Sequence, residues 1–207
     1  MILPYLEALL RWTGAGLTLV TLAAIFYGLW RGTTQPSGRQ IGFTPGILRS
    51  PLFYLAASVI FFGFCILLWK PLPLLLPIFY RVVALVVGSL LFFPGMASVL
   101  LARLALGRMY FTSTSFGAQL FAGHRLITHG LYAVVRHPMY TGLSLAAVGG
   151  LLLYQTWTTV FLLLLPFGLV RRARREEQVL ADQFGDQWQE YYRRVPMFFP
   201  RFKKGKS

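Results

Sequence analysis

Hydrophobic and polar positions segregate along this chain into long blocks instead of alternating. Apolar residues fill 9–30, with Arg11 near the start, where its long stem can snorkel to an interface. A polar loop follows over residues 31–50, rich in Gly, Thr and Pro. The second block, 51–69, closes with Lys70-Pro71-Leu72-Pro73, whose two prolines favour a tight extended turn. The third, 74–106, is too long for one perpendicular crossing of roughly 20 residues, and Pro77 and Pro94-Gly95 offer starts or kinks. Residues 107–135 are less apolar. Pro138 opens a run to Tyr154, Gln155-Thr156 interrupts it, and 157–170 ends the series.

This pattern predicts an all-α, multi-pass transmembrane helical bundle of about five spans. The last two blocks are short, so a helical hairpin turning at residues 154–158 is expected. From Arg171 the pattern becomes that of an amphipathic helix. Arg172, Glu176, Leu180 and Phe184 recur every four residues and share one stripe. Gly185 can end that helix, and Asp186 with Gln189 can start another. Trp188, Tyr191 and Tyr192 are expected at headgroup level. Residues 193–207 form a basic, proline-punctuated tail suited to anionic lipid.

Composition supports a membrane setting. Of 207 residues, 56% are hydrophobic and 13% charged, against roughly a quarter charged in soluble domains. The length allows one domain. The single cysteine, Cys65, sits in an apolar block, so neither an intramolecular disulfide nor a thiolate cluster is available. The N-terminal run lacks a preceding basic region and reads as mature sequence. A net charge of +14 raises the question of nucleic acid. The bases, however, cluster at block ends, where topology determinants belong, and no nucleic-acid-binding module is recognisable. With five spans, one side holds Arg11, Lys70 and Arg81, and the other holds 17 of the 20 bases. The positive-inside rule then puts the N-terminus outside and the C-terminus, with its amphipathic helix, in the cytoplasm.

Two polar patches fall on that cytoplasmic side. One is Gly130-Leu-Tyr-Ala-Val-Val-Arg-His-Pro-Met-Tyr-Thr-Gly142 and the other spans 171–178. Read alone, Arg136-His137-Pro138 is a helix start: Pro138 in the first turn, His137 on the orphan amides, Arg136 snorkelling. Glu176 shares a stripe with Leu180 and Phe184 and needs a partner at membrane depth. Glu177, about 100° round the helix, suits a solvated position. The spans contain no paired carboxylates, no nucleophile beside a histidine and no Asp-rich cation site. His124, His129 and His137, at spacings of five and eight, make a poor metal set.

Gly130-x-Tyr132-x3-Arg136-His137-Pro138-x-Tyr140-x-Gly142, followed by Glu176-Glu177-x2-Leu180, Phe184-Gly185, Tyr191 and Val195-Pro196, closely resembles the isoprenylcysteine carboxyl methyltransferase family. Phospholipid N-methyltransferases and small bacterial membrane methyltransferases share the pattern, which covers residues 126–200. The resemblance implies an S-adenosylmethionine-dependent transferase without a Rossmann fold, acting on a lipophilic acceptor and needing no metal. The chain then reads as one domain, 1–207: three N-terminal spans over 1–106 from the apolar blocks, a cofactor-binding part over 107–200 by the resemblance, and a basic tail over 201–207. By the same resemblance His124, Arg125, Leu126 and Ile127 lie along the cofactor, as do Tyr132 and the block His137, Pro138, Met139, Tyr140. Glu176 holds the cofactor and Arg172 orients the acceptor. Carboxyl O-methylation matches the pattern most closely; a phospholipid amine or a thiol acceptor is the alternative. A sterol-type reductase using NADPH shares part of the pattern, but there an Asn replaces Pro138-Met139 and an Asp follows the glycine, where this chain has Leu143. A non-catalytic scaffold is the remaining reading, against which the complete set of motif side chains stands.

Overall fold

Two helices meet so closely at the centre of the molecule that only glycine fits between them. In the computed structural model, which describes residues 2–33, 37–42, 51–110, 117–121 and 123–200, these are α3 (Ile78–Leu106) and α4 (Pro138–Tyr154). A Cβ on Gly95 would lie 2.7 Å from the Gly142 carbonyl and the Ala146 amide, and one on Gly149 2.7 Å from the Gly88 carbonyl. Small residues of this kind let apolar helices associate where hydrophobic burial gives little drive. Leu85, Phe92, Met96, Ala146 and Leu153 fill the rest of the seam. Pro77 precedes α3 and Pro94 lies inside it without ending it.

Helix α1 (Ile2–Thr33) lays Leu3, Leu10 and Leu17 on this core. Arg11 does not snorkel away. Its Nε donates to the Leu153 carbonyl at 3.0 Å, and Tyr154 Oη donates to the Arg11 carbonyl at 2.8 Å. The last carbonyls of α4 are the negative end of that helix, so a guanidinium is favoured there. Glu7 of α1 pairs with Arg81 of α3. Helix α2 (Pro51–Leu67) is held mainly by rings, Phe62 against Phe26 and Phe64 against Phe161, and turns Leu55, Val59, Ile60 and Ile66 outward. Among the described residues, two stretches are long and apolar enough to cross a membrane, Ile2–Gly28 and Ile78–Met109; α2 and α4 contribute shorter apolar helices.

The expected turn after Tyr154 is present. Gln155 adopts φ 52°, and Thr156 caps α5 (Trp157–Leu162) in a reciprocal box with Thr159. The segment after α2 is laced to it: Leu72 N–H bonds the Gln155 carbonyl at 2.8 Å, and Trp157 N–H bonds that of Lys70 at 3.0 Å. The block 157–170 is not one helix, however. It breaks after six residues, and a new helix, α6 (Leu165–Arg194), starts with Pro166 in its first turn. Proline has no N–H to give a preceding turn but suits a helix start. The amphipathic helix therefore begins before Arg171, and the last expected span is a short helix joined to it. Gly185, at φ 49°, divides α6 where an end was expected.

Helices carry the chain, with one addition. Strands β1 (Ser37–Gly42) and β2 (Gly117–Phe121) pair antiparallel, Gln40 opposite Gln119, and the ribbon lies against α6. Both come from segments read as irregular, too short and too far apart in sequence for their pairing to be visible. The basic tail, 201–207, lies outside the described residues.

Candidate functional site

The segment before α4 is a sharp turn. Gly130 at φ 62° leads into a 3-10 turn, Gly130–Ala133, that buries Tyr132. The Tyr132 phenol reaches the Ala102 carbonyl at 3.5 Å, and Tyr191 Oη donates to the Tyr132 carbonyl at 2.7 Å. Pro138 then opens α4 as the sequence implies, but the His137 side chain caps nothing. It faces two carboxylates instead. Its Nε2 lies 3.0 Å from Glu177 Oε1 and its Nδ1 3.6 Å from Glu176 Oε2. The imidazole stacks parallel on the Tyr140 ring, centroids 5.5 Å apart, and Tyr140 Oη donates to Glu176.

Glu177 departs most from expectation. It is not solvated; its side chain is 12% exposed, against 13% for Glu176. The reason is Arg136, which is buried and does not snorkel. Arg136 Nε donates to Glu177 at 2.8 Å, Nη1 donates to the Tyr192 and Val195 carbonyls, and the guanidinium lies 4.1 Å from the Tyr192 ring centroid. Burial by itself would raise the Glu177 pKa, but the His137 and Arg136 donors outweigh it and hold the carboxyl below its usual range. An ionised carboxylate only accepts, so His137 Nε2 carries the proton in that contact. The chain after α6 straps the same corner: Arg136 N–H to the Pro196 carbonyl at 2.8 Å, His137 N–H to Met197 at 3.1 Å, Thr141 Oγ1 to Phe198 at 3.0 Å.

Glu176 points to the other side, into a cavity of about 260 Å³. His124, Leu126, Ile127, Tyr132, His137, Met139 and Tyr140 line it with Glu176, and so does Arg172, whose Nε lies 3.5 Å from Glu176 Oε1. Two sequence candidates are elsewhere. Arg125 is exposed, its amide on the Met109 sulfur at 3.3 Å. Pro138 is fully buried, and its carbonyl accepts from Ser98 Oγ at 3.2 Å. The cavity adds residues that the sequence did not assign to the cofactor or acceptor: Tyr110, Arg136, Trp188 and Tyr191, with Val99, Leu106, Leu143 and Leu169 as apolar walls. Trp188 and Tyr191 are buried with Val195, Leu180 and Phe184; Tyr192 is the half-exposed ring.

Burial sets the ionisation of several wall groups. It pushes the His124 imidazole down to about 4, so that ring is neutral at pH 7. Burial also raises the phenols of Tyr132 and Tyr191. For Arg172 burial works against the charge, but Tyr140 and Glu176 more than offset it, and its pKa is raised. The wall thus presents a carboxylate, a paired guanidinium, protonated phenols and apolar surface.

A family model described as phospholipid methyltransferase matches residues 83–187, just over half of the chain and the part that supplies most of the cavity lining. The chain belongs to the phospholipid methyltransferase family. It is also 38% identical over 79 residues to protein-S-isoprenylcysteine O-methyltransferase of Schizosaccharomyces pombe, covering 37% of this chain and 34% of that protein. Cobalt-zinc-cadmium resistance protein CzcN of Cupriavidus metallidurans is 34% identical over 117 residues, 56% of this chain and 51% of the relative. Methanethiol S-methyltransferase 2 of Bradyrhizobium diazoefficiens is 33% identical over 93 residues, 42% of this chain and 33% of the relative. The match thus spans between a third and a half of these relatives, and the motif resemblance to isoprenylcysteine methyltransferases is upheld.

Proposed function

We propose that this protein is a membrane methyltransferase that uses S-adenosylmethionine to methylate an acceptor with a lipophilic part. The observation that carries the reading is Glu176, a nearly buried carboxylate held by Tyr140 at the wall of an aromatic and apolar cavity. Bound there, S-adenosylmethionine would supply a methyl group on an electrophilic sulfonium. The lining fits such a molecule: Glu176 answers a cationic group, the Tyr132 and Tyr140 faces attract cations, and Leu126, Ile127 and Met139 pack against apolar parts. The cavity of about 260 Å³ is close to the lower end, roughly 300 Å³, of small-molecule sites. His124, Leu126, Ile127, Tyr132, His137, Met139, Tyr140 and Glu176 form the cofactor wall, and Arg172 orients the acceptor.

The acceptor follows from what the wall lacks. An amine must lose a proton before or during attack; of the two cavity histidines, His124, with its pKa lowered to about 4, is a weak base, and His137 is engaged by Glu177 and Glu176. A carboxylate is already ionised at neutral pH and needs only alignment with the methyl group. This favours carboxyl O-methylation over amine N-methylation, with a thiolate as the second reading because the relative from Bradyrhizobium diazoefficiens carries the name of a thiol methyltransferase. The distribution of bases supports a site and C-terminal helix on the cytoplasmic face, with the N-terminus outside.

The test is transfer of labelled methyl from S-adenosylmethionine to prenylated cysteine analogues, phospholipid extracts and alkyl thiols by protein in lipid nanodiscs. Label in the prenylcysteine fraction is expected; label in phosphatidylethanolamine alone would reverse the choice of acceptor. Glu176→Ala should abolish calorimetric binding of S-adenosylhomocysteine while the protein stays folded. Unchanged affinity would move the cofactor site elsewhere. Arg172→Ala should slow transfer more than it weakens cofactor binding, and equal losses in both would remove its acceptor role.

A further inference from the structure

The outer face of α6 changes character along its length. Leu164, Leu165, Phe167 and Val170 lead it and are exposed, Phe167 by 80%. Arg171, Arg174 and Arg175 follow, all exposed, and then Gln178, Asp182 and Gln183. Phe167, Arg171, Arg174, Arg175, Gln178 and Asp182 recur at intervals of three and four residues, so they share one stripe. The inner face is a separate surface. Leu169, Arg172, Glu176 and Leu180 line the cavity there, and Ala173 and Val179 are fully buried.

The three outer arginines have no acid to answer them. The two carboxylates that follow them in sequence are turned inward, Glu176 to Arg172 and Tyr140, Glu177 to Arg136 and His137. Among the described residues Arg171 and Arg174 make no ion pair, and Arg175 donates to the Gln178 side-chain oxygen at 3.2 Å. Asp182 stands about two turns further on, and Glu190 pairs with Arg194. Like charges three and four positions apart on a helix repel each other, a repulsion that an external anion relieves. The order along the stripe is also informative. Apolar, then cationic, then polar repeats the layers of a leaflet: acyl chains, phosphates, water. From Arg171 to Arg175 the axis rises about 6 Å, comparable with the roughly 5–8 Å of headgroup layer on each side of the hydrocarbon core.

We propose that Arg171, Arg174 and Arg175 form a docking site for the phosphates of anionic phospholipids, which anchors α6 at the membrane surface. A guanidinium fork pairs with phosphate through two parallel hydrogen bonds, and all three forks here are exposed. The acyl chains of the same lipid lie along Leu164, Phe167 and Val170. A soluble anion would meet the arginines but has no use for that apolar lead. The site is separate from the cavity, which these arginines do not line. The inference rests on the membrane reading above and is independent of methyl transfer and of the acceptor.

The experiment reconstitutes the full chain in bilayers of phosphatidylcholine mixed with phosphatidylglycerol, transfers it to mild detergent and counts the retained lipids by native mass spectrometry. The wild type should retain phosphatidylglycerol beyond its share of the bilayer, and high salt during transfer should weaken that preference. Arg171→Gln, Arg174→Gln and Arg175→Gln should each reduce it about fivefold, the effect of one base near an anionic surface, and the triple variant should abolish it. Phosphatidylglycerol added to the wild type in detergent should raise the melting temperature, and the triple variant should lose that gain. A control that removes the same charge nearer the C-terminus, Arg193→Gln with Arg194→Gln and Lys203→Gln, should keep both effects. Where the triple variant is not recovered folded, the Arg174→Gln, Arg175→Gln double variant carries the comparison. A preference that survives the triple substitution overturns the proposal. So does one that the control loses equally, because net charge and not a site then selects the lipid. Glycerol phosphate displacing the lipid as readily as short-chain phosphatidylglycerol also overturns it, since the arginines would then take a free anion. Release of the wild type from membranes by alkaline carbonate would remove the membrane reading itself, a result separate from any of the lipid counts.

Discussion

Helix α4 is held on its two sides by different physics. Against α3 it is apolar and steric, glycine to glycine, with Gly95 and Gly142 so near that neither tolerates a side chain. Against α6 and the strap that follows, it is ionic: Arg136, His137 and Tyr140 meet Glu177 and Glu176. The first side fixes where the start of α4 stands, and the second fixes what that start presents to the cavity. Steric complementarity positions a backbone with no chemical bias. A charge network also sets protonation, and so belongs beside a site.

The comparison is broken most severely by removing Glu177. In Glu177→Ala, Arg136 loses its carboxylate in a buried setting, a change that costs about 3–5 kcal/mol when a buried pair is broken. Unfolding in detergent should report that loss, and S-adenosylhomocysteine affinity should fall with it although Glu177 faces away from the cavity. Stability within about 0.5 kcal/mol of wild type would place Glu177 among surface ion pairs after all. On the apolar side, Gly95→Val forces α3 and α4 apart at a backbone contact, an overpacking of about 1–3 kcal/mol. Its signature should be a lower melting temperature with little change in the pH dependence of unfolding.

More local is Tyr140→Phe, which removes the hydrogen bond to the Glu176 carboxylate and keeps the ring on His137. The expected loss is about 1.5–3 kcal/mol in cofactor affinity, with global stability nearly unchanged. A full loss of binding would instead make the phenol a direct ligand.

How much of this was readable in the sequence depended on whether a residue's fate was local. The blocks gave α2 and α4 almost to the residue, because a proline at the first helical position is a local instruction: α2 starts at Pro51 and α4 at Pro138. Glu176 was legible through its stripe with Leu180 and Phe184. Glu177 was not, because its burial depends on Arg136, 41 positions away, and α6 periodicity alone turned it outward. Pro166 carried the same local signal as Pro138, but a continuous apolar run masked it, so α5 and the first residues of α6, 165–170, read as one span. The β1–β2 ribbon had no local signal at all.

The gentlest test of the two sides is pH, since among the described residues the acids and histidines around α4 lie on the ionic side. His124, packed 6.2 Å ring to ring from Phe184 of α6, has its pKa lowered to about 4 by burial, against about 6.5 in an unfolded chain. Between those values the unfolded state binds more protons, so stability rises with pH; the contribution is complete above about 6.5 and is lost as pH falls toward 4. Glu177 acts in the same direction at lower pH: its depressed carboxyl stabilises above the ordinary carboxylate range and that gain disappears as pH falls through its folded pKa. Denaturant midpoints taken from pH 7.5 down through and below the carboxylate range should therefore decline in two stages. His124→Phe should flatten the first stage and leave the second, whereas Gly95→Val should lower the whole curve without changing its shape. A first stage that persists in His124→Phe would reassign it to another group and leave His124 outside the electrostatics of the α6 side.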